Sequence, residues 1–160
     1  MNTIKIALLG AGTVGSSVVH TLSMNAATIT GRCGAHIEIK KILVRDAKKH
    51  RPEIEGIPLT DSFAEILNDD EISVVVEVMG GIAPAKDYML RAMTAGKHVV
   101  TANKDVIAEH LSELYTVADA NNVDFLYEAS VGGGIPIIKP LKECLTANSI
   151  TEIMGVVNGT

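Results

Sequence analysis

The length, composition and charge of the sequence describe an acidic protein of single-domain size. Its 160 residues include 14 basic and 19 acidic side chains, and the formal net charge of −5 supports neither a nucleic-acid partner nor an anionic membrane. No apolar run approaches the roughly 18 residues of a membrane span, no targeting segment is visible, and Cys33 and Cys144 have no metal-binding spacing. We therefore expect a cytoplasmic protein with reduced thiols.

The hydrophobic pattern switches repeatedly between the periods of a strand and a helix. Apolar runs predict β-strands at 4–9, 36–44, 72–79, 97–101, 123–127 and 150–157. Helical spacing predicts α-helices at 13–25, after Asp61 or Ser62, between Pro84 and Gly96, at 106–121 and at 136–145, with an irregular connection at 28–34. This alternation predicts the α/β class, a doubly wound parallel sheet of the Rossmann type that binds its ligand at the carboxyl ends of the strands. Its core is expected to be aliphatic, because the chain has no Trp and few other aromatic residues.

A glycine-rich turn follows the first strand and opens the first helix. In the pattern Gly10-x-Gly12-x-x-Gly15, Gly10 permits a tight turn and Gly12 leaves the backbone open to a pyrophosphate. Gly15 lets the helix pack close to the strand, so that the helix N-terminus faces the phosphates. The strand–turn–helix context predicts a dinucleotide site rather than a plain turn, with Gly10, Ala11, Gly12 and Gly15 as cofactor-binding residues.

The second strand ends at Arg45, where an NAD enzyme usually has an acidic residue for the ribose 2′-hydroxyl. A guanidinium matches a phosphate bidentately, so Arg45 favours the 2′-phosphate of NADP. Asp46 keeps NAD as an alternative. Arg45, Lys48 and Lys49 are also compatible with a solvated turn that binds nothing.

Two further strands end in residues that can carry binding or chemistry. The run 72–79 ends at Gly80 and Gly81, and we take Gly80 as a cofactor-binding residue. Thr101-Ala-Asn-Lys104 follows the next strand, and a desolvated lysine there could exchange a proton with a hydroxyl or a carbonyl. Alternatively, Lys104 is a solvated residue at a helix start.

The segment from Glu128 to Pro136 contains three consecutive glycines, which cost backbone entropy. Outward carbonyls beside Glu128 could hold a hard cation, or the amides of the following helix could meet an anionic substrate. A flexible turn is the third interpretation. The five histidines do not cluster and the serines have no evident base, so neither a histidine metal site nor nucleophilic catalysis is supported.

Four motifs together resemble homoserine dehydrogenase along the whole chain. They are Gly10-Ala-Gly-Thr-Val-Gly15, Ala95-Gly-Lys-His-Val-Val-Thr-Ala-Asn-Lys104, Glu128-Ala-Ser-Val-Gly-Gly-Gly-Ile-Pro136 and Asn158-Gly-Thr160. The second and third motifs are more specific than the first. Related sugar oxidoreductases carry Glu-Lys-Pro where this chain has Thr-Ala-Asn-Lys.

The resemblance implies NAD(P)-dependent interconversion of L-homoserine and L-aspartate 4-semialdehyde, in threonine and methionine biosynthesis. It also implies a catalytic role for Lys104, near the nicotinamide and the substrate hydroxyl. Thr13, Val14 and Arg45 match cofactor contacts of the family. A sodium ion bound through main-chain oxygens is carried over to a set of four residues, Glu128, Val131, Gly133 and Ile135.

The resemblance further implies a division of the chain into an NAD(P)-binding domain, 1–147, and the first strand of a substrate and dimerisation domain, 148–160. Family members continue beyond the matching segment and are expected to form homo-oligomers. Residues 1–160 alone are therefore expected to bind the dinucleotide without oxidising homoserine. The alternatives are a stand-alone NAD(P)-binding or sensing module, and a sugar- or amino-acid-type dehydrogenase without its second domain.

Overall fold

A computed structural model of the chain describes residues 2–155, which form a parallel β-sheet covered by helices. The sheet of the described residues has the strand order β3-β2-β1-β4-β5-β6, and each neighbouring pair is parallel. Its strands are β1 Asn2–Leu9, β2 Ala35–Leu43, β3 Leu59–Thr60, β4 Ile72–Glu77, β5 His98–Thr101 and β6 Phe125–Leu126. The predicted doubly wound Rossmann-type fold is confirmed. The chain order reverses between β1 and β4, which opens a crevice at the carboxyl ends of these two strands.

Helices lie between most of the successive strands, as the sequence pattern predicts. They are α1 Thr13–Met24, α2 Ala26–Cys33, α3 Phe63–Leu67, α4 Ala85–Thr94 and α5 Lys104–Ala120. Short 3₁₀ turns occur at Pro52–Ile54 and Glu128–Ser130, and a π-helical turn at Pro140–Cys144. No helix of residues 2–155 combines the length and the apolar character needed to cross a membrane.

The core lies in two layers, one on each face of the sheet. Successive residues of β1 point to opposite faces, so that Leu9 belongs to one layer and Leu8 to the other. The larger layer packs Met89 and Met93 of α4 and Leu114 of α5 against the sheet. Aliphatic and methionine side chains dominate both layers, as the near-absence of large aromatic residues predicts.

In the first half of the chain, one prediction is wrong and one strand was not predicted. The connection expected at 28–34 is helix α2, which ends at Gly34 in the left-handed conformation (φ 71°). The chain turns at Asn25 between α1 and α2, and the alanines that open α2 are strong helix formers. Strand β3 was not predicted; its pairing with Ile42 and Leu43 of β2 is a tertiary contact with little local signal.

The C-terminal predictions also need correction. A helix was predicted over 136–145, and the structure is helical over the shorter span 138–144, in which Pro140–Cys144 forms a π-helical turn. In this turn the Leu145 amide donates to the Pro140 carbonyl, five residues back, at 3.2 Å. The strand predicted over 150–157 is not formed at 150–155, where Ile153 and Met154 are exposed and no strand of the described residues pairs with them. Residues 156 and 157 lie outside the described residues.

Candidate dinucleotide-binding site

The glycine turn after β1 is shaped by two close backbone approaches. Gly10 has φ +107°, and a Cβ atom there would lie 3.0 Å from the Val78 carbonyl oxygen. A Cβ atom on Gly15 would lie 2.3 Å from the carbonyl oxygen of Gly10, closer than any side chain tolerates. A Cβ atom on Gly12 would meet nothing within 4 Å. Gly10 and Gly15 are therefore needed for packing, whereas Gly12 leaves open space above the backbone.

A cavity of about 470 Å³ lies at the crevice between β1 and β4. Its walls come from the glycine turn and from the residues that follow β2 and β4. Of the predicted site residues, those that line it are Gly10, Ala11, Gly12, Arg45 and Gly80. Thr13, Val14 and Gly15 form the first turn of α1, directly after the lining residues. The helix N-terminus therefore adjoins the cavity, as a phosphate-binding site requires.

Three cationic side chains line the end of this cavity beyond β2. They are Arg45, Lys49 and Arg51, and among the residues of 2–155 that line the cavity the one acidic residue is Asp61. The Arg51 guanidinium donates to the carbonyl oxygens of Asp46 and Lys49, both at 2.9 Å, and so orders the loop that carries the other two. The Asp46 carboxylate accepts from the Lys48 amide at 2.9 Å and does not line the cavity. Sequence reasoning missed Arg51, which lies in a loop with no periodic pattern.

Lys104 is the first residue of α5 and is exposed. It follows β5 at the carboxyl edge of the sheet, the edge that also carries the glycine turn, but it does not line the cavity. Asn103 caps the helix: its side-chain oxygen accepts from the Val106 amide at 3.2 Å, and its side-chain nitrogen donates to the Gly81 carbonyl at 2.7 Å. The start of α5 is thereby tied to the loop after β4.

A buried glutamate that sequence reasoning missed stands at the end of β4. Glu77 is fully buried, and its carboxylate accepts from the Met79 amide at 2.7 Å and from the Thr101 hydroxyl at 2.6 Å. The signal was present in the sequence: one acidic residue interrupts the β-branched run 72–79, immediately before Gly80 and Gly81. A carboxylate at a buried strand position is costly unless its oxygens are hydrogen-bonded.

A model of the family described as "Homoserine dehydrogenase, NAD binding domain" matches residues 10–128, from the glycine turn to Glu128. The chain belongs to this family. Its resemblance to homoserine dehydrogenase is confirmed, and NAD(P) is the dinucleotide that the domain binds. The family assignment does not favour a stand-alone sensing module or a dehydrogenase of another class.

Individual homoserine dehydrogenases are similar over nearly the whole chain. The Bacillus subtilis protein is 43% identical over 161 residues, with 100% of this chain and 37% of that protein covered. The Synechocystis protein is 46% identical over 165 residues, with 99% of this chain and 36% of that protein covered. The crystal structure of the enzyme from Thiobacillus denitrificans superposes with a TM-score of 0.87 at 44% identity, over 92% of this chain and 34% of that one. The chain thus spans a little over a third of the length of its curated relatives.

The Glu128 carboxylate, in the motif Glu128–Pro136, accepts hydrogen bonds from backbone amides that follow the three glycines. It accepts from the backbone amides of Ile137, Ile138 and Lys139 at 2.6, 2.9 and 2.7 Å. These three amides are thus occupied by an internal carboxylate, which does not support their use for an anionic substrate. Of the four residues predicted to bind sodium, Glu128 also accepts from the Val131 amide through its main-chain oxygen, at 3.2 Å. A carbonyl oxygen has two lone pairs, so this contact is compatible with a cation, and the sodium site stays a prediction.

The capping contacts of Glu128 make part of the stability dependent on pH. Hydrogen bonds from the Ile137 and Lys139 amides hold the pKa of the carboxyl below its ordinary value of 4.5. A carboxyl whose pKa is lower in the folded state contributes stability above its unfolded pKa, and that contribution is lost as the pH falls through the folded pKa. We expect Glu128→Gln to lower the unfolding temperature at pH 7, and the difference from the wild-type chain to shrink steadily below about pH 4.5.

Thermal unfolding of the two chains between pH 3 and pH 7 measures this difference. Glu152→Gln is the matched control, because Glu152 is an exposed carboxyl in the irregular C-terminal segment. A wild-type advantage that stays constant over this pH range would show that the Glu128 carboxylate does not cap these amides.

Proposed function

We propose that this chain is the dinucleotide-binding domain of an enzyme that interconverts L-homoserine and L-aspartate 4-semialdehyde with NADP(H). The observation that carries the proposal is the family match over residues 10–128. The matched residues include all those that line the cavity, among them the glycine turn with its open space at Gly12. When bound, the nicotinamide accepts or supplies the hydride. The protein residues bind and orient the dinucleotide and move the proton.

The residues at the cavity fit the phosphate groups of such a cofactor. Gly12 leaves room for a pyrophosphate against the backbone, and the amides at the start of α1 point towards it. At the end of the cavity beyond β2, Arg45 and Lys49 supply two cations that would bind a phosphate on the adenosine ribose. The Asp46 carboxylate is engaged by its own turn, so that among the lining residues of the described part of the chain three cations stand against one carboxylate, Asp61, a balance that favours the 2′-phosphate of NADP.

We propose Lys104 as the residue that exchanges a proton with the substrate oxygen. Its place at the start of α5, at the carboxyl edge of the sheet, supports this role. We propose main-chain sodium coordination by a set of four residues, Glu128, Val131, Gly133 and Ile135. We further propose that residues 148–160 open a substrate and dimerisation domain, and that the whole protein is a cytoplasmic homo-oligomer. Its partners are then the small-molecule substrate and further copies of itself.

The cofactor preference tests the proposal. We expect the chain to bind NADPH more tightly than NADH, and Arg45→Ala to weaken NADPH binding by about 1.5–3 kcal/mol, or roughly 10- to 150-fold, with little change for NADH. The reason is the loss of a charge-assisted contact to the 2′-phosphate. Calorimetric titration of both nucleotides into residues 1–160 measures these affinities.

Lys48→Ala is the matched control, since Lys48 is a neighbouring exposed cation that does not line the cavity. Equal affinities for the two nucleotides, or a preference that survives Arg45→Ala, would contradict the assignment of Arg45. A chain that binds neither nucleotide would contradict the proposed function itself.

A further inference from the structure

Glu77 is a buried acid that takes part in none of the ion pairs formed within residues 2–155. It is fully buried at the last position of β4, and it pairs in register with Thr101 at the last position of β5. Burial of a polar group is costly unless it is hydrogen-bonded, and an apolar residue would fit a buried parallel strand with no such cost. The carboxylate therefore needs an explanation beyond packing.

Its hydrogen bonds connect the loop after β4, which lines the dinucleotide cavity, with the loop after β5. One carboxylate oxygen accepts from the Met79 amide at 2.7 Å, and the other accepts from the Thr101 hydroxyl at 2.6 Å. The Thr101 oxygen in turn accepts from the Asn103 amide at 3.0 Å, and the Asn103 side chain donates to the Gly81 carbonyl at 2.7 Å. The bonds form a closed ring from the end of β4, through the end of β5, and back to the loop after β4.

The order of donors in this ring requires a carboxylate. The Thr101 hydroxyl has one hydrogen, which it gives to Glu77, while its oxygen accepts from the Asn103 amide. The Met79 amide needs an acceptor as well. An ionised carboxylate is acceptor-only and satisfies both donors, whereas the amide of a glutamine would direct a second donor at one of them.

We propose that Glu77 is a positioning residue, which through Thr101 and Asn103 fixes the Met79–Gly81 loop and the start of α5 against the bound dinucleotide. Met79 and Gly80 line the cavity, and Lys104 follows Asn103 directly. This inference rests on the proposed function. Gly80 and Gly81 of this loop have positive φ angles, 77° and 72°, and contribute no side chain that could hold this part of the loop in place. The buried ring supplies the rigidity that the glycines lack.

The test compares two variants of the chain of residues 1–160. Thr101→Val keeps the shape of the side chain but lacks the hydroxyl, whereas Thr101→Ser retains a hydroxyl. Two quantities are measured: the hydrogen exchange of the Met79 amide relative to that of Ile42, and the Kd for NADPH. Met79 bonds to Glu77, whereas the Ile42 amide bonds to the Pro58 carbonyl in another part of the sheet. We expect Thr101→Val to speed the relative exchange of Met79 and to raise the Kd, each by about tenfold, and Thr101→Ser to stay near wild type.

Asn103→Ser is the second variant and covers the case in which Thr101→Val does not fold. Serine retains the helix cap but cannot reach the Gly81 carbonyl in the same way, so we expect the Kd for NADPH to rise while the unfolding temperature stays near wild type. Lys97→Met is the control for stability alone. The buried Lys97 amine donates to the carbonyls of Asp69 and Ile72, both at 2.8 Å, at the opposite edge of the sheet.

The outcomes separate the ring from the wider proposal. Lys97→Met should lower the unfolding temperature and leave the Kd unchanged. An unchanged Kd in the folded variants, or an equal rise of the Kd in Lys97→Met, would overturn the positioning role. If the wild-type chain binds no NADPH, the proposed function fails, and the relative exchange of Met79 then decides on the ring by itself.

Discussion

Alanine at Gly15 is expected to destabilise the chain and to weaken dinucleotide binding together. The new Cβ atom would lie 2.3 Å from the Gly10 carbonyl oxygen, which is backbone and cannot rotate away. Helix α1 must therefore move off the turn after β1. Overpacking of this kind costs typically about 1–3 kcal/mol, and the shifted helix no longer directs its amides at the phosphates.

Gly12→Ala is the informative partner of this variant. Gly12 has an ordinary φ of −81°, and a Cβ atom there meets nothing within 4 Å, so we expect no loss of stability. The methyl group would occupy the space left for the pyrophosphate, and binding of NADPH should fall by about 100-fold or more, because a few kcal/mol of close phosphate contacts are lost. Urea denaturation and NADPH titration of the same preparations measure both effects.

Gly31→Ala in α2 controls for the loss of a glycine as such. It also has no neighbour within 4 Å of its Cβ position, and it lies inside a helix away from the cavity. We expect it to gain up to about 1 kcal/mol of stability and to bind NADPH normally. Wild-type NADPH binding by Gly12→Ala would place the pyrophosphate elsewhere, and wild-type stability of Gly15→Ala would refute the close packing of α1.

Lys104→Ala, in a complete enzyme that carries this domain, is expected to lower kcat by about 10²- to 10⁴-fold, the usual contribution of general acid–base catalysis. The affinity for NADPH should change far less, because Lys104 does not line the cavity and its removal leaves the Asn103 cap of α5 intact. Steady-state kinetics with homoserine and NADP⁺, beside a separate NADPH titration, measure the two effects.

Lys5→Ala is the matched lysine control for this experiment. Lys5 lies on β1 and pairs with Glu71 at 2.5 Å, towards the amino edge of the sheet. Its loss should leave kcat unchanged. A Lys104→Ala enzyme with near-normal kcat would remove Lys104 from the mechanism, and a parallel loss of cofactor affinity would make it a binding residue instead.

The strand and helix periods of the sequence, together with the glycine turn, were enough to predict the fold. Each of these signals is local: alternating apolar residues must bury one face, and Gly10 and Gly15 are required by backbone contacts within one strand–turn–helix unit. Helix α2 and strand β3 escaped this reasoning. The first has no fully buried residue, and the second is two residues long and exists through its pairing with β2.

The order of the strands in the sheet cannot be read from the sequence pattern, and this order decides which residues become neighbours. Arg45 and Gly80 are 35 positions apart, yet both line one cavity because β1 lies between β2 and β4. Arg51 reaches the same cavity from an irregular loop. The sequence predicted a dinucleotide as the ligand at the carboxyl edge of the sheet, and the tertiary structure decided which cationic side chains line the cavity there.

The roles of Glu77 and Glu128 depended on the hydrogen-bond partners that the fold brings to them. The sequence by itself determined that Glu77 interrupts an apolar strand and that Glu128 precedes three glycines. Only the tertiary structure decided that Glu77 accepts from Thr101 on the neighbouring strand, and that Glu128 caps amides nine to eleven residues ahead. Hydrogen bonds act over about 3 Å, so these roles are set by which backbone and side-chain groups the fold brings together, whereas hydrophobic periodicity is written along the chain.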